Sequence, residues 1–525
     1  MFKPRPKQQE VLDYVGGKMG ICAVPGSGKT YTLSYLAAKI VASGKLAEDQ
    51  EVLVVTLVNS AVDNFASRIR SVIRDEHNTL SLTGYRVRTL HGLAHDIVRE
   101  RPGLVGLSED FQIIDEQEAE KIRNNAALAW VKSNADILER YLSAELDENK
   151  LNWIRSRQLP DLATTIALQF IRSAKNRQVA PDQLRQRLST TKADFPLAQM
   201  GCDIYASYQR ALVYRGVVDF DDLVRLAIAA LRSDEKFLER CRYRWPYILE
   251  DEAQDSNPLQ ENLLRILVGE NGNWVRVGDP NQAIFETFTT ADPRFLRNFM
   301  NEADHPRELP NSGRSTKSII SLANYLVRWT QNEHPLADVR DALVPPYIEP
   351  APADDPQPNP EDNPTGIRIL SDLMNRDDEL RIVTNSIAEW LPDHPDSTVA
   401  VLVPTDEQGH QVVDELRKKQ IAYADTLLRT TNTTRTTAGA LDNILIYLAD
   451  PHDSAKLSKV YEVWRRADRN DNQTWRQVLD LSSKLRQCRR LEDFLWPQPD
   501  RDWLAKQKLN PDQIRSLKRI VTNYL

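Results

Sequence analysis

The stretch AVPGSGKT at residues 23–30 combines residue types that can hold the phosphates of a nucleotide. Its two glycines allow the backbone N–H groups of a tight turn to point inward, because no Cβ obstructs them. Lys29 can reach the β- and γ-phosphates, and the Thr30 hydroxyl can ligate Mg²⁺. The usual first glycine of this P-loop pattern is Ala23 here. The candidate nucleotide-binding residues of the loop are Gly26, Ser27, Gly28, Lys29 and Thr30.

An acidic run, EDEAQD at residues 250–255, supplies the partner that a phosphate-bound cation needs. Asp251 can hold Mg²⁺, and Glu252 can orient and deprotonate an attacking water molecule. Adjacent acids repel one another unless a cation lies among them. An acidic turn exposed to solvent is the alternative for this run on its own. The P-loop in the same chain favours the nucleotide interpretation.

Two further stretches carry residues suited to the same reaction. NWVRVGDPNQAIFETF at 273–288 begins as a strand and places Gln282 where its amide can contact the γ-phosphate. ELPNSGRSTKSII at 308–320 contains Arg314, which can act as an arginine finger on the charge of the transition state. An arginine in a turn is usually a surface residue, so the residue types alone do not select Arg314 for this role.

Apolar runs predict the elements that position the P-loop. MGICAV at 19–24 predicts a strand, YTLSYLAAKIVAS at 31–43 a helix, and EVLVVTLV at 51–58 a buried strand. Strand, helix and strand form a βαβ unit of a parallel sheet. Such a sheet binds phosphate between the carboxyl end of a strand and the N-terminus of a helix. This context disfavours a glycine-rich turn of purely structural use.

Length, composition and charge limit the possible classes of protein. A chain of 525 residues is too long for one core and predicts roughly three or four domains. Its 41% hydrophobic and 27% charged residues are typical of soluble globular proteins, and no transmembrane segment or secretory signal is expected. The four dispersed cysteines favour a cytoplasmic protein without zinc or iron–sulphur ligation. With a net charge of −7, nucleic acid would bind only through a local basic groove.

The order and spacing of these motifs resemble superfamily 1 DNA helicases of the UvrD/Rep/PcrA type. PKQQEVL, near the N-terminus, is similar to the Q motif of that family, which implies that Gln8 reads adenine. AVPGSGKT, EDEAQDSNPLQ, VGDPNQAIF and NSGRST are similar to motifs I to IV. The resemblance covers about residues 6–330. It implies that the chain uses ATP with Mg²⁺.

Other parts of the resemblance imply contacts with DNA. They are VVTLVNSAVDNFASRI at 54–69, VRTLHGLAHDIVRE at 87–100 and VVDFDDLVRLA at 217–227. After motif III, Phe288 takes the position of the aromatic residue that stacks on a base, although the arginine expected next is Thr289. The candidate DNA-binding residues are Thr56, Asn59, Thr89, His91, Phe220 and Phe288.

His91 and His95 are four residues apart, a spacing that could also indicate a metal site. No cysteine and no H-E-x-x-H pattern lies nearby, so the interpretation of His91 as a DNA-contacting or motif-bridging residue is favoured.

The resemblance implies an α/β fold: a RecA-like P-loop motor domain with a helical insertion, plus a partial second RecA-like domain. Eight prolines among residues 345–364 predict a semi-rigid connection. STVAVLVPTDEQGHQVVDELRKKQIAY at 397–423 resembles the first strand and helix of the second motor domain. The predicted domains are the first RecA-like domain at 1–107 and 216–344, the insertion at 108–215, the connection at 345–365, the partial second RecA-like domain at 366–450 and the start of a second insertion at 451–525.

The chain departs from the family pattern in several places. Ser312-Gly313 replace the motif IV tyrosine that stacks on adenine, so the source of that stack stays open. Leu57 replaces an aromatic residue of motif Ia. The late T-x-H-x-x-K-G and Y-V-x-x-T-R elements do not occur after residue 366. Their absence predicts that the chain is an N-terminal fragment of a longer motor, which by itself binds Mg·ATP, hydrolyses it slowly and does not unwind DNA.

The resemblance predicts an ATP-dependent DNA helicase or translocase that moves 3′→5′ on single-stranded DNA or at a junction with duplex DNA. Its expected setting is DNA repair or replication. One alternative is an ATP-gated DNA-binding subunit without unwinding activity. Another is a small-molecule P-loop kinase, which would transfer phosphate to a metabolite without stimulation by DNA.

Overall fold

The computed structural model describes the chain except residues 1–2, 78–82, 135–136, 139, 143–146, 284–290, 425–431, 467, 469–470, 508, 510 and 525. It consists of two units, Met1–Arg368 and Ile369–Leu525. Within the described residues, no helix is both long and apolar enough to cross a membrane. All of the motifs predicted to contact a nucleotide lie in the first unit.

Six strands of the first unit form one parallel sheet. The described strands of this unit are β1 (Lys18–Ala23), β2 (Val52–Thr56), β3 (Tyr85–Thr89), β4 (Gln112–Ile113), β5 (Val217–Val218), β6 (Tyr247–Glu250), β7 (Asn273–Gly278), β8 (His305–Leu309), β9 (Asn311–Ser312) and β10 (Glu349–Pro350). The sheet has the order β3-β2-β6-β7-β1-β8, while β4 pairs with β5 and β9 with β10. Strands β1, β2 and β7 are buried along almost their whole length, as expected for a parallel sheet covered on both faces.

The order of the strands brings three predicted loops together. β6, β7 and β1 are parallel neighbours, with Glu250 beside Arg276 and Cys22 beside Gly278. Because the carboxyl ends of parallel strands meet at one edge of a sheet, the loops that follow them share that edge. The predicted α/β fold with a parallel sheet is confirmed. The strands of the predicted βαβ unit, β1 and β2, are separated in the sheet by β6 and β7.

Helices cover both faces of this sheet. The adjacent residues Leu53 and Val54 of β2 point into opposite apolar clusters, one containing Trp274 and the other Val275. The helices of the first unit are α1 (Pro6–Leu12), α2 (Lys29–Ala42), α3 (Asn59–His77), α4 (Leu90–Glu100), α5 (Glu116–Ser133), α6 (Glu148–Trp153), α7 (Leu159–Asn176), α8 (Pro181–Ser189), α9 (Pro196–Arg215), α10 (Phe220–Ser233), α11 (Glu235–Arg244), α12 (Pro258–Val268), α13 (Arg294–Glu302) and α14 (Lys317–Glu333).

The helices α5 to α9 lie in the region predicted as the helical insertion. They bury an apolar cluster of their own, which includes Ile122, Ala167 and Tyr208. At the two ends of the region, β4 pairs in parallel with β5, so Ile113 lies beside Val218. The region therefore has its own core. Its predicted limits, like the other domain boundaries, stay predictions.

The proline-rich segment belongs to the first unit, which ends at Arg368. Strand β10 pairs in parallel with β9, which places Glu349 beside Asn311. The Glu349 N–H donates to Pro310 O at 2.8 Å, and the Ala351 N–H donates to Ser312 O at 3.2 Å. Backbone hydrogen bonds therefore attach this segment to the chain around β9.

In the second unit, the described residues form helices and no strand. The helices are α15 (Arg376–Trp390), α16 (Asp406–Lys418), α17 (Asn432–Ala449), α18 (Ser454–Trp464), α19 (Asn472–Arg486), α20 (Glu492–Leu495) and α21 (Pro511–Tyr524). Helices α17 to α21 share an apolar cluster that includes Tyr461 and Leu485.

The stretch predicted as a strand and a helix at 397–423 contains helix α16, but residues 398–403 form no strand. Leu402 is 93% exposed. A strand needs a neighbouring strand to pair with its backbone N–H and C=O groups, and the described part of the second unit contains none. The assignment of 366–450 to a second RecA-like domain stays a prediction.

Candidate nucleotide site and nucleic-acid interface

The loop after β1 turns tightly before α2 begins at Lys29. Gly26 and Gly28 have φ angles of 78° and 82°, in the left-handed region that residues with a Cβ rarely adopt. Gly28 is the N-cap of α2, so the loop contains the first free N–H groups of that helix. These groups and the helix dipole favour a bound anion. The predicted phosphate-binding loop therefore has the backbone conformation that a phosphate site requires.

Lys29 joins the P-loop to the two neighbouring loops. Its Nζ lies 3.3 Å from Glu252 Oε2 and donates to Gln282 Oε1 at 3.0 Å. These three residues follow β1, β6 and β7, so they meet because of the strand order. The Lys29 side chain is largely buried, and Glu252 offsets its charge. The predicted catalytic residues Glu252 and Gln282 thus lie against the predicted phosphate-binding lysine.

Thr30 and Asp251, the predicted metal ligands, are also in contact. Thr30 Oγ1 donates to Asp251 Oδ2 at 3.2 Å, while the buried Oδ1 has no hydrogen-bond partner among the described residues. Burial, reinforced by the neighbouring Glu252 carboxylate, raises the pKa of Asp251 to about 7. A hydroxyl beside a carboxylate with an unpartnered oxygen fits Mg²⁺, which takes oxygen ligands.

Across the described residues, no group of three or more histidine, cysteine or acidic side chains is arranged to hold a metal ion. A magnesium ion at Thr30 and Asp251 would therefore take further ligands from phosphate or water. This is the usual arrangement for magnesium bound together with a nucleotide.

Gln254 is a residue of this site that the sequence patterns did not identify. Its Nε2 donates to Glu252 Oε2 at 2.9 Å, and its Oε1 accepts from the Asp279 N–H at 3.0 Å. The Gln254 amide therefore links the loop after β6 to the loop after β7. Glu252 has a φ of 54°, a left-handed conformation that is costly for a residue with a Cβ. The only signal in the sequence is one amide within the acidic run EDEAQD.

Gln8 packs against the P-loop from helix α1. Its Nε2 donates to Ser27 O at 3.0 Å, and its Oε1 accepts from the Arg5 N–H at 2.9 Å. A Cβ at Gly28 would lie 2.9 Å from Gln8 Nε2, so a side chain at this position would crowd the contact. The residue predicted to read adenine is therefore buried beside the phosphate-binding loop.

Arg314, the predicted arginine finger, also lies next to the P-loop. A Cβ at Gly26 would be 2.7 Å from Arg314 Cβ and 2.5 Å from Ser312 Oγ. The Arg314 N–H donates to Ser312 Oγ at 3.4 Å, and the residue is exposed. The loop after β9 is therefore in close contact with the P-loop at Gly26, where the absence of a Cβ leaves space for Ser312 and Arg314.

A cavity of about 690 Å³ lies between α4 and α10 and the helices α5 and α7. Four of the predicted DNA-binding residues line it, together with cationic residues of α5 and α7. Thr56 ends β2, is buried and does not line the cavity. Phe288 lies outside the described residues. The predicted residues in the lining are Asn59, Thr89, His91 and Phe220.

His91 and Phe220 form one aromatic wall of this cavity. Their rings meet edge to face, with centroids 5.5 Å apart, and Phe220 is 40% exposed. Burial lowers the pKa of His91, which favours a neutral ring near pH 7. Thr89 Oγ1 accepts from the Gly92 N–H at 3.1 Å and caps α4, a structural role beside the predicted DNA contact. An exposed aromatic face is a surface on which a base can stack.

Lys175 is a buried cation in the cavity lining that the sequence patterns did not identify. Its side chain is 1% exposed, and Nζ donates to Asp219 and, at 2.9 Å, to Asp222. Tyr208 OH donates to Asp219 Oδ2 at 2.6 Å. Because Lys175 belongs to α7 and the two aspartates lie at the start of α10, these ion pairs join the helical region to the sheet region.

The D-F-D-D-L stretch contributes to both this buried cluster and the cavity lining. The Asp222 N–H donates to Asp219 Oδ1 at 2.8 Å, which makes Asp219 the N-cap of α10. The two acids are thereby buried, and Phe220 between them stays in the cavity lining. The acidic spacing was visible in the sequence, but the lysine partner is 44 positions before Asp219 and follows no local pattern.

A parallel sheet with a P-loop after β1, an acidic loop after β6 and a glutamine after β7 defines a P-loop motor domain of the RecA-like class. The profile of the UvrD/REP helicase N-terminal domain family matches residues 5–304. The chain belongs to this family, which confirms the resemblance to UvrD/Rep/PcrA-type helicases.

The chain is also similar to individual curated proteins. It is 27% identical over 426 residues to ATP-dependent DNA helicase UvrD2 of Mycobacterium tuberculosis strain H37Rv, covering 79% of the chain and 54% of the relative. DNA helicase II of Haemophilus influenzae is 25% identical over 432 residues, or 79% of the chain and 50% of the relative. DNA helicase II of Escherichia coli is 28% identical over 324 residues, or 61% and 40%. The chain spans about half the length of the curated relatives it matches, or less.

Proposed function

We propose that this chain binds ATP with Mg²⁺ at the edge of the parallel sheet and couples ATP hydrolysis to movement on single-stranded DNA. The observation that carries the proposal is the meeting of Lys29, Glu252 and Gln282 from three separate loops. The similarity to a protein named ATP-dependent DNA helicase UvrD2 supports the same activity.

The contact between Lys29 and Glu252 gives ATP binding a direct effect on the catalytic base. The β- and γ-phosphates of ATP compete with Glu252 and Gln282 for the Lys29 ammonium group. Once Lys29 turns to the phosphates, the Glu252 carboxylate is free to accept a proton from the attacking water. Gln254 keeps its hydrogen bond to Glu252 and limits the movement of that carboxylate.

The remaining residues have separate roles at the phosphates and the base. Thr30 and Asp251 would hold Mg²⁺, which offsets phosphate charge when it is bound. Arg314, next to Gly26, stabilises the charge that develops on the transferred phosphate. Gln8 recognises the adenine base.

We further propose that the cavity beside Phe220 accepts a base of single-stranded DNA or of a junction with duplex DNA. Stacking on an exposed aromatic ring accounts for binding of many sequences, because every base has a flat face. By analogy with the family, the chain moves 3′→5′ along the DNA strand and serves DNA repair or replication. Protein partners are left open.

The test compares ATP turnover with and without single-stranded DNA, and unwinding of duplexes that carry a 3′ or a 5′ single-stranded tail. We expect single-stranded DNA to stimulate a slow turnover, and a duplex with a 3′ tail to be preferred over one with a 5′ tail wherever unwinding occurs. The Lys29→Ala variant serves as the inactive control. Stimulated turnover without unwinding would favour the ATP-gated DNA-binding subunit, and turnover that DNA does not change would contradict the proposal.

A further inference from the structure

The proline-rich residues 349–362, named the strap here, hold the loop that carries Arg314. Asn359 Nδ2 donates to Ser312 O at 2.7 Å and to Ser315 O at 2.8 Å. Its Oδ1 accepts from the Ala351 N–H at 2.8 Å, so the same amide also fixes the strap on itself. One side chain of the strap therefore binds the backbone on both sides of Arg314.

A buried ion pair links the strap to the N-terminal helix. Arg5 Nε donates to Asp355 Oδ2 at 2.6 Å and Arg5 Nη2 to Asp355 Oδ1 at 3.2 Å, with side chains only 8% and 5% exposed. Arg5 Nη1 also donates to Asn311 O at 2.7 Å. Such a two-point contact between guanidinium and carboxylate fixes direction as well as distance. Since the Arg5 N–H binds Gln8, the strap reaches the residue proposed to recognise adenine.

Gly313 has no room for a side chain, because the strap lies against it. A Cβ at this position would be 2.1 Å from Gln357 O and 3.0 Å from Arg5 Nη2. The backbone carbonyl of Gln357 has no alternative position unless the strap moves. The strap and Gly313 therefore fit together as one unit.

These contacts continue to the phosphate-binding loop. The strap binds Asn311, through Glu349 and Pro350, and also Ser312 and Ser315. The missing Cβ of Gly26 leaves the space that Ser312 and Arg314 fill. Prolines restrict the strap before it folds, which lowers the entropy lost on holding this conformation. The strap is therefore a pre-ordered support behind Arg314.

We propose that the strap is a positioning element for ATP hydrolysis, and that Asn359 and Asp355 are its positioning residues. The inference rests on the proposed function of Arg314. Because Arg314 acts on the transition state, loosening its loop lowers kcat and leaves KM for ATP nearly unchanged. Misplacement of a catalytic group by about 1 Å can reduce the rate on the order of 100-fold.

The test uses Asn359→Asp, which keeps the acceptor for the Ala351 N–H and loses the donor to Ser312 and Ser315. We expect kcat to fall about 10- to 100-fold, with KM for ATP within about twofold. Asp355→Asn should change kcat in the same direction. The matched control is Asp354→Asn, since Asp354 is 86% exposed and its oxygen lies 4.0 Å from Lys3 Nζ. This control should behave as the parent chain.

A second measurement does not depend on hydrolysis. Hydrogen exchange of the backbone amides at 311–316 should be faster in Asn359→Asp and Asp355→Asn than in the parent chain or in Asp354→Asn. A parent chain without ATPase activity would contradict the proposed function. Faster exchange in the two variants would, even then, show that the strap holds this loop in place. Unchanged exchange, or faster exchange with unchanged kcat in an active enzyme, would overturn the positioning role.

Discussion

Arg276 Nε lies 2.7 Å from Glu250 Oε2 across the neighbouring strands β7 and β6, and both side chains are almost completely buried. Arg276 Nη1 also lies 2.7 Å from Glu261 Oε2, and the guanidinium carbon is 4.5 Å from the centre of the Trp274 ring. Glu250 directly precedes Asp251, the proposed magnesium ligand, and Arg276 lies in the strand that leads to the loop of Gln282. The same ion pair therefore supports two of the loops of the nucleotide site.

Arg276→Met should lower the free energy of unfolding by about 3–5 kcal/mol, because it leaves the buried Glu250 carboxylate without its cation and leaves Glu261 with Arg265 alone. Chemical denaturation of the variant beside the parent chain measures the change. Arg294→Met is the matched control, since the Arg294 side chain is 77% exposed. Its effect should stay within about 0.5 kcal/mol. Equal losses in the two variants would show that the buried cluster contributes no special stability.

Glu252→Gln should preserve ATP binding and stop hydrolysis. The glutamine amide cannot accept a proton from water, whereas Lys29 stays available for the phosphates. Nucleotide binding and steady-state turnover, measured on the same preparation, separate the two effects. Glu270→Gln, at an exposed position away from the site, should leave both unchanged. Turnover at the parent rate in Glu252→Gln would assign the base to another residue.

The elements around the nucleotide site could be predicted because their signals are local. Glycines at 26 and 28 are needed where φ is positive, and the β-branched run of β2 is typical of a buried strand. Each proposed role, from Lys29 to Gln282, depends on one loop after one strand. A parallel sheet then brings such loops to one edge without further information.

Features that depend on distant partners could not be predicted in this way. The amide of Gln254 and the ammonium group of Lys175 have their roles only because other loops and helices meet them. The strap is visible in the sequence as a run of prolines, but its contact with Gly313 depends on the fold. Residues 398–403 show the reverse case: the resemblance of 397–423 to the second motor domain predicts a strand, yet without a neighbouring strand their backbone forms no ladder.

The carboxyl group of Asp221 should make the free energy of unfolding depend on pH. Burial, together with the neighbouring Asp219 carboxylate, raises the pKa of Asp221 to about 6. Asp222 also raises this pKa, whereas the positive charges of Lys175 and Arg172 lower it. The folded chain thus holds this proton more tightly than the unfolded chain, in which the pKa is near 3.8. The protonated Asp221 therefore contributes its full stabilisation below the unfolded-state pKa of 3.8, and this contribution is lost as the pH rises through about 6.

An asparagine at this position mimics the protonated acid at every pH. Relative to the parent chain, Asp221→Asn should therefore gain up to about 3 kcal/mol in the free energy of unfolding between about pH 4 and pH 7. Denaturation curves at several pH values measure this difference. Asp194→Asn, at an exposed position, should show no such trend. A difference that does not vary with pH would exclude the proposed titration.

Phe220→Ala tests the proposed nucleic-acid interface. Loss of one stacked base should weaken the binding of single-stranded DNA by about 1–3 kcal/mol, while ATP affinity should stay the same because Phe220 lies in the cavity rather than at the P-loop. Fluorescence anisotropy with a labelled oligonucleotide at one fixed salt concentration measures the change. Phe195→Ala is the matched control, because Phe195 is similarly exposed, at 48%, but is not part of the cavity lining. If both variants bind DNA as the parent chain does, the base stacks on another aromatic residue; if both weaken it equally, the cavity is not the specific site.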